Sequence, residues 1–251
     1  MLLKRRLSVL WAAAIMLLTV LLASGAAMGI TNGTADGGRH PNVGALMEIP
    51  KRGEPYPYCT GTLISETVFL TAAHCYPENG DTSFVTFEEV PSSTSKVYQG
   101  TFYDDPKIDI AVVVLDQSPG ITPAQLPYEG QVASEAKSTK WFTAVGYGGE
   151  LAPKQPGGPV IVYDDQREWA VSTFKSFNGT YLRLSQNQDS GGTCYGDSGG
   201  PNFFGGNSTP ETNVIASTTI TGDAWCKATN VTLRLDTAPV RAFLDDYVTL
   251  P

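Results

Sequence analysis

Gly196-Asp197-Ser198-Gly199-Gly200-Pro201 is the stretch that decides the fold of this 251-residue chain. A serine stands there among glycines, where backbone N–H groups can approach a bound molecule closely. In a chain of this length, such a hexapeptide would arise by chance with a probability on the order of 10⁻⁵. A serine hydroxyl is a poor nucleophile unless a base and oxyanion donors surround it. The hexapeptide therefore has chemical meaning only if the rest of the sequence supplies those partners.

The chain contains only two histidines that could serve as the base, His40 and His74. His74 closes an apolar, strand-like run over residues 70–75. His40 lies between two glycines and a proline in residues 37–41, a pattern typical of a turn. A histidine in such a turn is usually structural or exposed. His74 is therefore the candidate base.

The third residue must be a carboxylate that orients the imidazole and stabilises its cation. Asp109 is the best candidate, because it stands directly before the β-branched run 110–115 and is expected to be partly buried. A buried charge needs partners, since its desolvation is otherwise very costly. Asp116, at the far end of the run, is interpreted as a strand terminus. Four further aspartates come in pairs with turn-like neighbours and are interpreted as solvated loop residues: Asp104, Asp105, Asp164 and Asp165.

The order of these residues along the chain discriminates between folds. Residues 196–200 fit the G-x-S-x-G turn of α/β-hydrolases, but in that fold the histidine follows the serine, and no histidine follows Ser198. The observed order, His74 then Asp109 then Ser198, is that of chymotrypsin-type enzymes. A subtilisin-type order would need an acid before His74, and Asp36 in its glycine-rich turn is a weak candidate.

The chain resembles the trypsin/chymotrypsin family of serine endopeptidases over residues 30–251. The resemblance implies a secreted enzyme that hydrolyses peptide bonds through a Ser198–His74–Asp109 triad and an acyl-enzyme, without specificity for Arg or Lys. The alternative is a catalytically inactive relative that serves as a binding protein. The matching segments, in the family's order, are residues 59–64, 71–75, 109–111, 146–148, 194–201 and 215–217.

Short apolar runs separated by turn residues predict an all-β fold. The resemblance implies two six-stranded antiparallel β-barrels, the first over residues 30–120 with His74 and Asp109 and the second over 138–235 with Ser198. Residues 121–137, which contain Pro, Gly and Ser and lack a strong core pattern, are the predicted connector. Residues 236–251 are the predicted C-terminal helix, capped by Asp236 or Thr237. The apolar runs are residues 43–49, 60–70, 84–87, 110–115, 142–146, 181–184 and 214–220.

The resemblance also implies roles for residues around the triad. The backbone N–H groups of Gly196 and Ser198 would form the oxyanion hole, and Ser217 would support Asp109. The substrate pocket would have Gly192 as its floor and Thr219 and Asn230 as walls. Because no acid stands at the floor, we expect a neutral pocket for a small or medium apolar side chain.

A mature N-terminus at Ile30 is a further expectation from the resemblance. In the family, a freed N-terminal ammonium pairs with the aspartate before the nucleophile, so Ile30 and Asp197 form the predicted activation pair. Residues 27–29 have the small-x-small pattern that signal peptidase could cut. The alternative is cleavage after Ala27 followed by trimming.

Residues 1–29 have the layout of a secretory signal peptide: three cations, an apolar stretch and small residues. An uncleaved membrane anchor is the alternative. Loss of Lys4, Arg5 and Arg6, with no acid among these residues, would change the net charge from −8 to −11. Such a surface repels nucleic acid and anionic membranes, which argues against both as partners. The expected partners are protein or peptide substrates, with a protein inhibitor as a further candidate, and the expected state is an extracellular monomer.

Four cysteines together with a secretory signal suggest two disulfides, and the sequence alone allows three pairings. The resemblance implies the pairs Cys59–Cys75 and Cys194–Cys226. A zinc site is not expected, because the chain has no C-x-x-C or H-E-x-x-H spacing. No cofactor or metal is therefore predicted.

Overall fold

The computed structural model describes residues 30–78, 80–151, 160–186 and 191–251. The predicted signal peptide, residues 1–29, lies outside these ranges. Within them, no helix is long and apolar enough to cross a membrane. The helices are α1 (Gln131–Thr139) and α2 (Ala238–Leu244), and a 3₁₀ turn spans Ala73–Cys75. The strands are β1 (Thr34–Ala35), β2 (Val43–Glu48), β3 (Tyr56–Leu63), β4 (Val68–Thr71), β5 (Thr82–Thr86), β6 (Tyr98–Asp104), β7 (Ala111–Leu115), β8 (Trp141–Gly146), β9 (Glu150–Leu151), β10 (Ile161–Val162), β11 (Glu168–Phe177), β12 (Tyr181–Ser185), β13 (Pro201–Phe204), β14 (Ile215–Gly222) and β15 (Thr229–Arg234).

The first half of the chain forms a closed antiparallel barrel in the strand order β2-β3-β4-β7-β6-β5. Its interior is filled by large apolar side chains, among them Leu46, Leu63 and Phe69, which are all fully buried. The predicted run 60–70 is two strands, β3 and β4, that pair with each other through a tight turn. The barrel therefore holds β4 next to β7, the two strands beside which His74 and Asp109 lie.

The second half forms a six-stranded antiparallel ring, β8-β11-β12-β15-β14-β13, which the pairing of β13 with β8 closes. The short strand β1 is added to β11 of this second barrel. The predicted boundary at residue 30 therefore needs correction, since the first residues of the described chain pair with the second barrel. The physical reason is that backbone pairing and burial hold this segment in place: Thr31 forms a β-bridge with Gly192, and the Ile30 side chain is fully buried.

The predicted connector, residues 121–137, contains buried core residues and most of helix α1. Ala124 and Leu126 are both buried, and α1 continues to Thr139. Its N-cap is Gly130, which has no side chain to satisfy the first N–H groups. Asp236 supplies the missing acceptor from the other end of the domain, because its Oδ2 accepts the Val132 N–H at 2.8 Å.

Helix α2 spans Ala238–Leu244 and is shorter than the predicted range 236–251. Thr237 is its N-cap but makes no side-chain capping bond, and Asp236 is engaged elsewhere. Two aspartates, at 245 and 246, follow its last residue. Negative side chains at the C-terminus oppose the helix dipole and disfavour a further turn.

One of the hydrophobic clusters among the described residues spans both barrels. Leu70 and Val112 of the first barrel, Phe203 and Ile215 of the second, and Leu244 of α2 belong to a single cluster of buried side chains. Burial of apolar surface contributes about 25 cal/mol per Å², so this shared core stabilises the barrel–barrel arrangement as well as each barrel. This packing fixes the orientation of one barrel relative to the other. It therefore also fixes the relative positions of side chains that the two barrels contribute to a common site.

Candidate active site

The Ser198 loop leaves the second barrel just before β13 and packs against β3 of the first. The Thr60 N–H donates to the Ser198 carbonyl at 2.8 Å, and the Thr60 hydroxyl donates to the Gly196 carbonyl at 2.9 Å. Gly196 has a φ of +98° and Gly199 a φ of +81°, in the left-handed region that favours glycine. A Cβ on Gly196 would lie 2.9 Å from the Gly148 Cα. The glycines therefore give the loop a backbone conformation and a close packing that other residues would not reach without strain.

Strand pairing brings His74 and Asp109 together. Thr71, the last residue of β4, pairs with Ala111, the first residue of β7. Because the strands are antiparallel, the residues just after β4 and just before β7 leave the barrel at the same edge. His74 lies there in the 3₁₀ turn, and its Nδ1 is 2.8 Å from Asp109 Oδ2. Asp109 Oδ1 also accepts the His74 backbone N–H at 3.0 Å.

The Asp109 carboxylate is stabilised in its charged form. Burial acts to raise its pKa, but the hydrogen bonds from the His74 side chain and backbone outweigh burial and hold the pKa of Asp109 below its usual value. The Asp109 side chain is 28% exposed and that of His74 is 41% exposed. The pair is therefore an ionised acid and an imidazole at an open edge of the barrel, where a bound molecule can reach the ring.

His74, Asp109 and Ser198 all line one cavity of about 530 Å³. The structure thus brings together the three residues predicted as the triad, two from the first barrel and one from the second. The rest of the lining comes from the strands and loops of the second barrel: Thr193, Cys194, Tyr195, Thr219, Ile220, Thr221, Gly222, Asp223 and Cys226.

Of the three predicted pocket residues, only Thr219 lines this cavity. Gly192 lies behind the lining, and the space that a side chain at 192 would occupy is filled by the Gln186 side chain. Gln186 is 1% exposed, and its Nε2 donates to the Thr193 carbonyl at 3.1 Å. Gln186, like Gly192, therefore lies behind the cavity lining and not on it.

Asn230 also lies behind the cavity wall and not on it. Its side chain is fully buried, and its Nδ2 donates to Asn202 Oδ1 at 3.2 Å. The Asn202 amide in turn donates to the Thr219 hydroxyl at 3.0 Å. The predicted wall residues Thr219 and Asn230 are thus members of one buried polar network, in which only Thr219 faces the cavity.

Besides Asp109, one further acid, Asp223, lines the cavity, although its sequence position does not match the predicted floor. Burial acts to raise its pKa, but hydrogen bonds from backbone N–H groups outweigh burial and lower the pKa of Asp223. The donors are the N–H groups of Trp225, Lys227, Ala228 and Thr229. Asp223 therefore organises the loop that follows β14. Asp189, the other acid near the floor in sequence, lies outside the described residues.

Ser217, the predicted support of Asp109, is hydrogen-bonded elsewhere. It is fully buried on β14, and its hydroxyl lies 2.8 Å from the hydroxyl of Thr232 on the neighbouring strand β15. The bonds described for the Asp109 carboxylate come from His74 and from the Ala73 backbone. In this structure Ser217 therefore stabilises strand pairing in the second barrel.

The predicted activation pair is arranged differently from the expectation. The Ile30 backbone N–H donates to Glu168 Oε2 at 2.8 Å. Asp197, which is fully buried, accepts the N–H groups of Gly148 and Cys194, both at 2.8 Å. Burial raises the pKa of Asp197 to about 7 despite these two bonds, and the negative charge of Glu168 adds to the rise. Glu168 is thus a buried acid at this site that the sequence did not single out.

Two disulfides join Cys59 to Cys75 and Cys194 to Cys226, the pairs that the resemblance implied. The first links β3 to the turn that carries His74, and the second links the Ser198 loop to the segment before β15. Among the described residues, Cys59, Cys75 and His74 are close enough to suggest a metal site. Both sulfurs are oxidised in the disulfide, however, and a metal would require thiolates.

The chain is also similar in sequence and in fold to known proteins. A sequence profile of the Trypsin family matches residues 32–232. Two curated proteins of Corynebacterium glutamicum, an uncharacterized peptidase of strain R and a putative peptidase of strain ATCC 13032, are each 28% identical over 149 residues. These matches cover 59% of this chain and 50% of each relative, so the chain spans about half the length of the curated relatives it matches. The atomic-resolution structure of HBP has a TM-score of 0.66 at 16% identity, over 88% of this chain and 98% of that one, which shows a shared fold.

Proposed function

Because the chain belongs to the trypsin family, we propose that it is a secreted serine endopeptidase with Ser198 as its nucleophile. One observation carries the proposal: Ser198, His74 and Asp109 come from two barrels and meet on one cavity of about 530 Å³. The His74 Nδ1 to Asp109 Oδ2 distance of 2.8 Å leaves the other ring nitrogen of His74 for the nucleophile.

In the proposed reaction, Ser198 Oγ attacks the carbonyl carbon of the scissile peptide bond. His74 Nε2 accepts the hydroxyl proton and then donates it to the leaving amine, so that the peptide C–N bond breaks and an ester remains on Ser198. A water molecule then attacks the ester, again with His74 as base, and releases the carboxylic acid product. Asp109 keeps the Nδ1 proton of His74 in place and stabilises the imidazolium that forms at each step.

The oxyanion of the tetrahedral intermediate would be bound by the backbone N–H groups of Gly196 and Ser198. Loss of one such donor typically costs about 3–4 kcal/mol of transition-state stabilisation. The left-handed conformation of Gly196, with φ +98°, sets the direction of the neighbouring peptide groups. The two bonds from Thr60 to this loop support the same geometry from the first barrel.

We propose a neutral side chain at the residue preceding the scissile bond, and not Arg or Lys. The support is the cavity wall, which includes the uncharged residues Thr193 and Thr219. Apart from Asp109, Asp223 is the acid on the lining, but its oxygens are engaged by four backbone N–H groups of its own loop. A panel of peptides that differ only at this position tests the proposal, and a strong preference for Arg or Lys would refute it.

The extracellular location rests on the layout of residues 1–29 and on the two disulfides, which persist in oxidising compartments. Recovery of the processed chain from the culture medium of an expressing cell would support it. Retention of the full-length chain in the membrane fraction would support the uncleaved anchor instead.

The activity itself is tested with a fluorophosphonate probe, which labels an activated serine covalently. We expect labelling of the mature protein, loss of labelling in Ser198→Ala, and unchanged labelling in Ser134→Ala, whose serine is exposed on α1. Correctly matured and folded protein that fails to react would refute the enzyme and favour the binding protein.

A further inference from the structure

A network of hydrogen bonds behind the cavity wall ends at the hydroxyl of Thr219, which lines the cavity. The Asn202 Nδ2 donates to the Thr219 hydroxyl at 3.0 Å and to the Ser217 carbonyl at 3.4 Å. The Asn230 Nδ2 donates to Asn202 Oδ1 at 3.2 Å and to the Thr219 hydroxyl at 3.5 Å. Asn202, Ser217 and Asn230 are all fully buried, so water does not compete for these bonds.

The Ser217 carbonyl fixes the orientation of both amides. A carbonyl only accepts hydrogen bonds, so the Asn202 atom beside it must belong to the NH₂ group. The Asn202 oxygen then requires a donor, which is the NH₂ group of Asn230. Reversal of either amide would bring two oxygens that only accept within hydrogen-bonding distance of each other. Two NH₂ groups are therefore directed at the oxygen of Thr219.

The Thr219 hydroxyl consequently has a proton to donate to a bound molecule. A hydroxyl has two acceptor lone pairs and one O–H donor, and the two amides use both lone pairs. Among the described residues, none accepts a hydrogen bond from this hydroxyl. The Asn230 Oδ1 does not take the proton either, since that oxygen is buried without a hydrogen-bond partner. The protein thus engages this hydroxyl only from behind the wall, and its donor is available on the cavity side.

Backbone hydrogen bonds hold Thr219 next to the Ser198 loop. The Gly199 N–H donates to the Thr219 carbonyl at 2.8 Å, and the Thr219 N–H donates to the Gly200 carbonyl at 2.9 Å. Both main-chain groups of Thr219 are thus engaged, which leaves its hydroxyl as the group that can contact a ligand. Thr219 is only 3% exposed and therefore lies on the inner wall of the cavity. A peptide whose reacting carbonyl is held at Ser198 would reach this wall with a side chain.

Charge on the lining disfavours a carboxylate as the acceptor for this proton. Asp109 and Asp223 both line the cavity, and the described lining contains no Lys or Arg. Burial acts to raise the pKa of each acid, but hydrogen bonds outweigh burial and lower both pKa values. Both acids are therefore ionised at neutral pH. An anionic ligand side chain would be repelled by two negative charges, whereas an uncharged carbonyl oxygen would not.

We propose that Thr219 is a specificity-determining residue that donates its hydroxyl proton to the side-chain carbonyl oxygen of a glutamine or asparagine in the substrate. Among side chains, these two carry an uncharged carbonyl oxygen. The Asn202 and Asn230 amides orient the hydroxyl before the substrate arrives, so binding does not have to break an existing bond of the donor. The proposal rests on the proposed function, because it places the amide at the residue preceding the scissile bond.

The test compares the cleavage of peptides that differ only at the residue preceding the scissile bond. Glutamine is paired with norleucine and asparagine with leucine, because the members of each pair are similar in size and only the amide has an oxygen acceptor. We expect kcat/KM at pH 7 to be at least about 10-fold higher for the amide in one or both pairs. Glutamate should be cleaved more slowly than glutamine. Equal cleavage within both pairs, or a preference for glutamate, would refute the proposal.

Variants at Thr219 separate recognition of the amide from a merely structural role. Thr219→Val removes the hydroxyl, so it should cleave the two members of each pair at similar rates. Thr219→Ser retains the hydroxyl and should retain the preference for the amide. Thr82→Val, at an exposed threonine on β5, is the matched control and should leave the preference of the parent unchanged. An amide preference that persists in Thr219→Val would show that the hydroxyl is not its source.

Binding measured without catalysis distinguishes this proposal from the proposed function. In Ser198→Ala, peptide amides that end in glutamine or norleucine are titrated by calorimetry, and we expect Kd to be at least about 10-fold lower for glutamine. If this difference is present but the parent reacts with no fluorophosphonate, the activity fails while the role of Thr219 stands. If the parent reacts and shows no preference for an amide, the role of Thr219 fails alone.

Two other outcomes also decide the matter. If Thr219→Val does not fold, the parent and Thr219→Ser still test the proposal, since both must prefer the amide. A mature protein that neither cleaves nor binds any of these peptides would refute the role of Thr219 together with the proposed activity.

Discussion

Replacement of His40 by glutamine should destabilise the protein by about 3 kcal/mol at pH 6. His40 is 5% exposed, and its ring nitrogens contact Asp36 Oδ1 and, at 2.9 Å, Glu211 Oε1. The ring also stacks on Phe203 with centroids 5.6 Å apart and an interplanar angle of 11°. The histidine that the sequence placed in a turn therefore joins the N-terminal segment to the second barrel.

The magnitude follows from the partners that remain after substitution. A hydrogen bond between charged groups contributes about 1.5–3 kcal/mol, and His40 makes two with its ring. A glutamine side chain can replace one of these two hydrogen bonds in part. Asp36 still has Arg167 as a partner, and Glu211 still has Arg39. The net loss is therefore about 3 kcal/mol, below the sum of both bonds. For a domain of this size that corresponds to a fall in Tm of about 6–12 °C.

The pH dependence has a definite sign. Burial acts to lower the pKa of His40, but its bonds with Asp36 and Glu211 outweigh burial and raise the pKa above the ordinary 6.5. A group whose folded pKa is raised contributes fully below its unfolded pKa and loses that contribution as pH rises through the folded pKa. The difference between parent and His40→Gln should therefore be largest below pH 6.5 and shrink at alkaline pH. Asp36, with a pKa lowered to about 2, stays ionised throughout this range.

Urea unfolding of both proteins from pH 5 to pH 9 measures the difference in the free energy of unfolding. His74→Gln is the matched control, because it breaks a histidine–aspartate pair whose side chains are 41% and 28% exposed. An exposed pair contributes about 1 kcal/mol or less. A difference for His40→Gln below 1 kcal/mol at pH 6, or one that grows with pH, would refute the reasoning.

Three further predictions concern the loops and the helix cap. Loss of the Cys59–Cys75 disulfide, whose cysteines are 16 residues apart, in the paired Cys→Ala variant should lower the free energy of unfolding by about 3 kcal/mol. An unchanged urea midpoint would contradict this. Gly196→Ala places a side chain at φ +98° and should reduce kcat at least about 100-fold, measured on any cleaved peptide, and a parent-like kcat would show that the loop tolerates a Cβ. Arg234→Met leaves the buried Asp236 without its guanidinium and should cost about 3–5 kcal/mol in thermal unfolding, so a loss under 1 kcal/mol would count against that pair.

Much of the fold followed from local sequence patterns. Short β-branched runs with turns between them predicted strands, and the resemblance implied the two six-stranded barrels that the structure contains. The errors lie where a distant residue decides the outcome. Helix α1 begins inside a stretch predicted as a connector, because Asp236 caps it from more than a hundred residues away. Strand β1 joins the second barrel through backbone pairing, which leaves no mark on its two exposed side chains.

At the candidate site, too, some residues could be predicted from the sequence and others could not. Residues that carry distinctive chemistry, such as Ser198 and His74, were found from their types and spacing. Gln186 and Glu168 were not, since each is an ordinary polar residue whose role depends on a space left by a glycine elsewhere, at 192 and at 33. The only indication in the sequence was the high number of glycines near Ser198. Glycines indicate close packing, but they do not identify the side chains that pack against them.

By itself, the sequence determined the residue types of the proposed nucleophile, base and acid, and their order excluded an α/β-hydrolase. The tertiary structure decided which groups meet: Asp109 with His74 through the pairing of β4 and β7, and Ile30 with Glu168 through the pairing of β11 with β8 and β1. The physical reason is the separation along the chain of the residues that must meet. Chemistry resides in single side chains, and the sequence displays them directly. Contacts between residues 35 and 138 positions apart depend on strand pairing and packing across the whole domain.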